Sequence, residues 1–319
     1  MKLNRFAWFA WITLAFNLLV IVWGAFVRAT GSGAGCGGHW PLCNGQIVPP
    51  APQMATLIEF GHRMTSGLSL LLIGTMLIWA LRAYPRRHVV RRGAILSLVF
   101  VLMEALIGAV IVELDLVAHN ASITRAFSGS AHLVNTFLLV AVLTLTAWWA
   151  SGGQPLQLQG QGSLIWMFGL GIVATLVLGA IGAITALGDT LFPAHSLAQG
   201  LQQDFSPTEH LFLRLRVYHP ILAVVTGGYL IAIAFLASRW RPAQQIRRFA
   251  VALSVLFALQ IGAGVLDVYL LAPIWMQLVH LLLADSIWIT LVLTTAATFA
   301  AVPVYSEYSR SSLSQIRAT

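Results

Sequence analysis

Four histidines, His62, His132, His219 and His280, each stand at the start of a long apolar run, and these runs alternate with others that carry none. Imidazole is a usual axial ligand of haem iron and a common ligand of zinc and copper. A lone histidine at the end of an apolar helix ordinarily keeps its polar tip in interfacial water. Four at matching places are harder to assign that way. Two facing helices of a four-helix bundle can offer one imidazole each to a single six-coordinate iron, so the expected pairs are His62 with His132 and His219 with His280. A zinc or copper site needs three or four donors within about 2 Å of one ion. Each pair of runs supplies two histidines and no cysteine, which ranks such ions behind haem.

Charged residues near these histidines are the second signal. Glu59 lies three positions before His62, which on a helix is nearly the same face, one turn away. A carboxylate there could move protons or stabilise a developing cation; the plainer alternative is an ion pair with Arg63, Arg28 or Arg125. Aligning His62 with His219 sets Arg216 opposite Glu59, with Arg214 close by. A guanidinium beside a haem suits a propionate, which it can hold bidentately. The side carrying Glu59 is therefore expected to be reactive, and the side carrying Arg216 to hold a haem or relay electrons. Glu104 and Asp285 also fall inside apolar runs, without an obvious cationic partner. Intramembrane carboxylates are functional candidates by default.

The elements that position these groups follow from composition. The chain has 319 residues, 58% hydrophobic and 9% charged, with a mean hydropathy of +0.83; soluble domains carry roughly 25% charged residues. Eight runs approach the roughly 20 apolar residues needed to cross a bilayer: about 7–27, 64–84, 93–113, 131–150, 164–186, 217–237, 247–267 and 277–301. The expected fold is an all-α integral membrane protein with eight transmembrane helices. The net charge of +8 does not indicate nucleic acid, because its distribution follows the membrane. Lys2, Arg5, Arg82, Arg86, Arg87, Arg91, Arg92, Arg239, Arg241, Arg247, Arg248, Arg310 and Arg317 all fall on one side of the alternating spans. The positive-inside rule makes that side cytoplasmic, with both termini. The first run is read as an anchor rather than a cleaved signal, and no transit peptide is visible. A multi-pass protein of a bacterial plasma membrane is expected, with its histidines near the outer face.

Internal repetition organises the spans. Gly24-Ala25-Phe26 resembles Gly182-Ala183-Ile184, and Leu106-Ile107-Gly108-Ala109-Val110 resembles Gln260-Ile261-Gly262-Ala263-Gly264. The chain reads as two pseudo-symmetric four-helix bundles, 1–151 and 152–319, in parallel topology, with Ser151 to Gly162 as the hinge. The long outer loops, about 28–58 and 187–216, each follow the first span of a half and could cap a site. Cys36 and Cys43, the two cysteines, both lie in the first of these. A disulfide in an oxidising compartment is the favoured reading over two free thiols, and a metal site with His39 fits no usual spacing. His39, His88, His119, His195 and His210 fall in connections and are read as solvated.

Taken together, these residues resemble the haem A synthases over nearly the whole chain. Val27 to Cys43 looks like that family's first outer loop, and Glu59-Phe60-Gly61-His62-Arg63 looks like its Glu-x-x-His-Arg motif. The resemblance implies oxidation of the C8 methyl of haem O to a formyl group by successive hydroxylation, for cytochrome oxidase assembly. It implies His62 and His132 as ligands of the haem O substrate, His219 and His280 as ligands of a haem b cofactor, and Glu59 acting at the oxidised methyl. It makes Cys36–Cys43 a loop disulfide, and a haem O synthase and oxidase assembly factors the expected partners, beside membrane lipid and with no nucleic acid. Some family members carry a second cysteine pair in the later outer loop; 187–216 has none. Pro220 after His219 is expected to be tolerated. The competing classes are a dihaem electron-transfer protein, which needs neither Glu59 nor the cysteine loop, and a repeat-built transporter, which needs a pair of interrupted spans. Small-residue stretches such as Gly179 to Ala183 suit packing within the fold or in a homo-oligomer.

Overall fold

The computed structural model describes residues 3–50 and 52–300. Lys2, Arg310 and Arg317, part of the charge argument, lie outside the described residues. The helices are α1 (Arg5–Ala29), α2 (Met54–Ala83), α3 (Val89–Glu113), α4 (Ile123–Ala150), α5 (Leu164–Leu191), α6 (Leu197–Phe205), α7 (Leu211–Arg216), α8 (Tyr218–Trp240), α9 (Gln244–Tyr269) and α10 (Ile274–Ala300). Eight stretches are long and apolar enough to cross a membrane, the sixth being α7 and α8 in series.

Two features depart from the sequence expectation. Helices α2, α4 and α10 begin at Met54, Ile123 and Ile274, well before the apolar runs, so His62, His132 and His280 sit about two turns inside their helices rather than at the ends. Polar residues such as Glu59, His62 and Arg63 depress hydropathy without ending a helix. The sixth span is also not continuous. It parts at Val217, because Pro220 has no N–H to give the carbonyl four residues back, Arg216, and its ring crowds that carbonyl. This is one parted span and not a pair, so the transporter reading gains nothing. The stretch 187–216, expected as loop, holds the end of α5 and both α6 and α7.

Around the bundle, α1 packs on α2, α2 on α3, α3 on α4 and α4 on α1; α5, α8, α9 and α10 follow one another similarly, with a lighter contact from α10 to α5. Helices α4 and α10 meet between these groups, and α4 is the most buried span and α3 the least. Phe137 on α4 stacks on Trp288 of α10 with centroids 5.3 Å apart. The Trp288 indole N–H donates to the Phe137 carbonyl at 2.6 Å, the partner a buried indole requires. The 151–163 connection, expected as a hinge, is pinned: Gln157 N–H donates to Phe299 O at 3.2 Å, and Arg241 donates to Gln161 Oε1 and Thr298 O.

Between α1 and α2 the buried Ser69 hydroxyl donates to Asn17 Oδ1 at 2.7 Å. Interhelical hydrogen bonds of this kind contribute about 0.6 kcal/mol in membranes. Ser69→Ala is expected to lower stability by about that much in thermal unfolding of the detergent-solubilised protein; no change, or a collapse of the fold, would contradict it.

Candidate functional site

Glu59 is only 3% exposed, and both its oxygens are engaged. Oε2 accepts the Cys36 backbone N–H at 2.8 Å. Oε1 accepts from Arg63 Nε at 3.1 Å and Nη2 at 2.5 Å, one helical turn on. The other arm of Arg63 donates to the carbonyls of His39 and Leu42 at 2.7 and 2.6 Å. A charge-assisted bidentate pair is among the stronger hydrogen-bonded contacts, and here it fastens the cysteine loop to α2. Cys36 and Cys43 form a disulfide, and Gly35 lies so close to Ala55 that a Cβ would fall 2.5 Å from its backbone carbonyl. Glu113 closes the far rim by accepting the Trp40 N–H at 3.0 Å. Of the three partners foreseen for Glu59, Arg63 is the one it has.

Glu104, which has no obvious cationic partner in the sequence, is hydrogen-bonded between helices. Glu104 Oε1 lies 2.8 Å from His132 Nδ1, hydrogen-bonding distance though off the line of the ring N–H. It also accepts from Thr136 Oγ1, and its Oε2 from Asn135 Nδ2. His132, Asn135 and Thr136 share one face of α4 by their spacing. A partner on α3, remote in sequence, leaves no local motif; this is why the sequence reading missed it. Asp285, by contrast, is fully buried, and neither of its oxygens has a hydrogen-bond partner among the described residues.

The other histidines have a consistent setting. A Cβ on Gly24 would fall 2.9 Å from the His62 ring, one on Gly182 3.0 Å from His219, and one on Gly264 3.2 Å from His280. Each imidazole thus lies against bare backbone of a neighbouring span, where only glycine leaves it room. The Nδ1 atoms of His62, His219 and His280 are buried without a hydrogen-bond partner. His219 and His280 face each other with ring centroids 6.4 Å apart, and Gln260 Nε2 lies 2.9 Å from His280 Nε2. Sequence comparison of the two halves picked out all three glycines, but as repeat markers rather than as cradles.

The expected propionate arginines are held elsewhere. Arg216 bonds Asp189 Oδ1 at 2.6 Å and Asp204 Oδ1 at 2.6 and 2.7 Å. Arg28 donates to Ala186 O, Thr190 Oγ1 and Gln277 Oε1 at 2.6, 2.6 and 2.9 Å, tying α1 to α5 and α10. Arg125 donates to Ala118 O and Asn120 O at 2.6 and 2.8 Å. Arg214 is exposed and forms no ion pair among the described residues. Two of the connection histidines serve helix caps, His88 accepting Val90 N–H and His210 accepting Phe212 N–H.

Fold and site together define a polytopic helical membrane protein that presents half-buried imidazoles on its spans and a disulfide-closed loop. The chain belongs to the COX15-CtaA family of cytochrome oxidase assembly proteins, the family of the haem A synthases, whose profile matches residues 7–292. It is 50% identical over 295 residues, 92% of the chain, to a Thermus thermophilus protein named protoheme IX farnesyltransferase, of which that match covers 48%. Over 102 residues, 32% of the chain, it is 45% identical to proteins named heme A synthase from Bacillus cereus and Bacillus anthracis, covering 33% of each. The chain therefore spans about half the length of the first of these relatives and less of the others.

The staple yields a direct expectation. Arg63→Ala removes the donors to Glu59, His39 O and Leu42 O, so amide hydrogen exchange across 36–46 is expected to accelerate while α1 and α4 stay protected. Unchanged exchange in that loop would show that other contacts hold it.

Proposed function

We propose that this protein is a haem A synthase: an oxidoreductase that converts the C8 methyl of haem O into a formyl group. The observation that best supports this is the set of four histidines on facing spans, three cradled on glycine with a bare ring nitrogen, in a chain of this family. The residues fit a bound haem. Metal–imidazole bonds run about 2 Å, so two rings sharing one iron have centroids roughly 6 Å apart, close to the 6.4 Å between His219 and His280. The Gln260 amide, 2.9 Å from His280 Nε2, would have to turn aside for that nitrogen to reach a metal. A haem b held there would supply one-electron redox chemistry.

In this reading the halves are 1–151, taking haem O between His62 and His132, and 152–319, taking haem b between His219 and His280. Both sites lie at the cysteine-loop end, which the arginine distribution makes the outer face of a bacterial plasma membrane, with both termini cytoplasmic. Methyl to aldehyde, by two hydroxylations and loss of water from the geminal diol, is a four-electron oxidation: R–CH3 + H2O gives R–CHO, four protons and four electrons, which an external electron acceptor must take. His62 and His132 hold and orient the substrate. Glu59 lies one turn from His62 along α2 and is only 3% exposed, so it is a carboxylate that could accept a proton at that site. Doing so requires Arg63 or the Cys36 amide to give up a bond, which couples the disulfide loop to the chemistry.

The Thermus relative's name points to another activity in the same pathway. Prenyl transfer from a diphosphate ordinarily uses magnesium held by carboxylates and substrate phosphates. The described residues contain no group of three or more His, Cys, Asp or Glu placed for a metal. The match covers only 48% of that relative, so the farnesyl transfer its name states can belong to the part this chain does not span. A haem O synthase, whose product would be this protein's substrate, is the partner we infer.

Extracted haems decide the matter. With haem O available, the wild type is expected to yield haem A or its hydroxylated precursor by mass, whereas haem b alone at normal occupancy would favour a dihaem electron-transfer protein. Glu59→Ala is expected to keep bound haem and lose conversion by at least about 100-fold, within the range for a removed proton-transfer group; wild-type turnover would remove Glu59 from the chemistry. His219→Ala is expected to lose one of two low-spin haem signals and keep the other. Retention of both would exclude it as a ligand.

A further inference from the structure

The repeat makes one cluster conspicuous by its lack of a counterpart. Glu104, Asn135 and Thr136 converge on His132. Aligning Leu106 with Gln260, and His132 with His280, sets Ala258, Leu283 and Ala284 at the matching positions. A polar cluster needed to pack α3 on α4 would be expected where α9 packs on α10 as well. There the same positions are apolar, and α9 and α10 still pack closely. The cluster thus follows one histidine and not the architecture.

We propose that Glu104 is a positioning residue for His132. It fixes the ring with its Nδ1 toward the carboxylate and its Nε2 free for iron, and it makes that imidazole a stronger donor. Ligating histidines generally give their second ring N–H to a carboxylate or carbonyl, which sets tautomer and orientation and raises ligand basicity. The distance fits: Oε1 is 2.8 Å from Nδ1, although the ring as placed does not aim its N–H along that line. Asn135 Nδ2 holds Oε2 while also donating to Phe100 O at 3.0 Å, and Thr136 shares Oε1, so the carboxylate is itself oriented. His280 has only the neutral Gln260 amide, on Nε2. The two halves therefore present imidazoles of unequal donor strength, the stronger in the half that also contains Glu59. A more basic axial ligand stabilises ferric over ferrous iron, which places the haem held by His132 at the lower potential.

This rests on the ligand assignment above, and the test separates the two. The full chain is prepared in a His219→Ala, His280→Ala background, so that the remaining haem is the one at His62 and His132. Haem affinity, the low-spin electron paramagnetic resonance signal and the midpoint potential are then compared with and without Glu104→Gln. The expected result is a low-spin haem in both, bound about 10–100-fold more weakly in the variant. Its ferric preference is expected to fall about tenfold, about 59 mV for one electron. Asn135→Ala, which leaves Glu104 in place but less oriented, is expected to shift both in the same direction by less, and it stands in where Glu104→Gln does not fold. With the second site intact, the haem at His219 and His280 is expected to keep its potential. An unchanged potential and affinity in Glu104→Gln would overturn the proposal and leave the ligands standing. If His132→Ala keeps the same low-spin signal, the ligand assignment itself fails and the proposal with it.

Discussion

Hydrocarbon offers a polar group no partner, so a chain that carries charge between its membrane faces must satisfy it internally. That constraint orders nearly everything at the cysteine-loop end. Glu59 is matched by Arg63 and the Cys36 amide, Arg216 by two aspartates, and Arg28 by a carbonyl, a hydroxyl and an amide from two other helices. Against this background the ring Nδ1 atoms of His62, His219 and His280, like both oxygens of Asp285, are buried without a hydrogen-bond partner among the described residues. Leaving buried polar atoms unmatched costs about 1–3 kcal/mol each.

The same constraint explains why the glycines matter. An imidazole on a facing helix needs space beside the neighbouring backbone, and at Gly24, Gly182 and Gly264 even one Cβ would press on the ring. Small residues at membrane helix contacts usually serve close packing of one helix on another. Here they let a side chain approach instead. The match of Gly24 with Gly182 in the two halves then reads as one cradle used twice.

Sequence was most legible where chemistry and hydropathy coincide. The eight apolar stretches, the cysteine pair and the four histidines could all be read from it, because a bilayer imposes length and a repeat imposes register. Helix starts could not, since hydropathy falls at Glu59, His62 and Arg63 although the helix runs through them from Met54. The parting at Val217 was in principle readable from Pro220, but only once the span was known to begin at Leu211. The arginines were legible in part. Ion pairing was one of the two roles expected for them, and Arg63 and Arg216 form ion pairs, but Asp189, Asp204, Ala186 and Ala118 lie on other turns and other helices where no local spacing points to them.

What separates the halves is therefore carried by their buried partners rather than by the histidines themselves. In 1–151 the imidazole of His132 meets a carboxylate, and a second carboxylate, Glu59, lies a turn from His62 under a stapled loop. In 152–319 the matching positions hold Ala258 and Arg216, and the arginine is neutralised by Asp189 and Asp204 away from the rings. Two sites built from one repeat would otherwise give two equivalent irons, and a substrate cannot be told from a cofactor by symmetric ligands. A carboxylate beside one proposed ligand and not beside its counterpart breaks the equivalence. If the two pairs hold haem as proposed, that difference would let one site favour the more oxidised iron and the other exchange electrons, so the division of labour would follow from which imidazole meets a carboxylate.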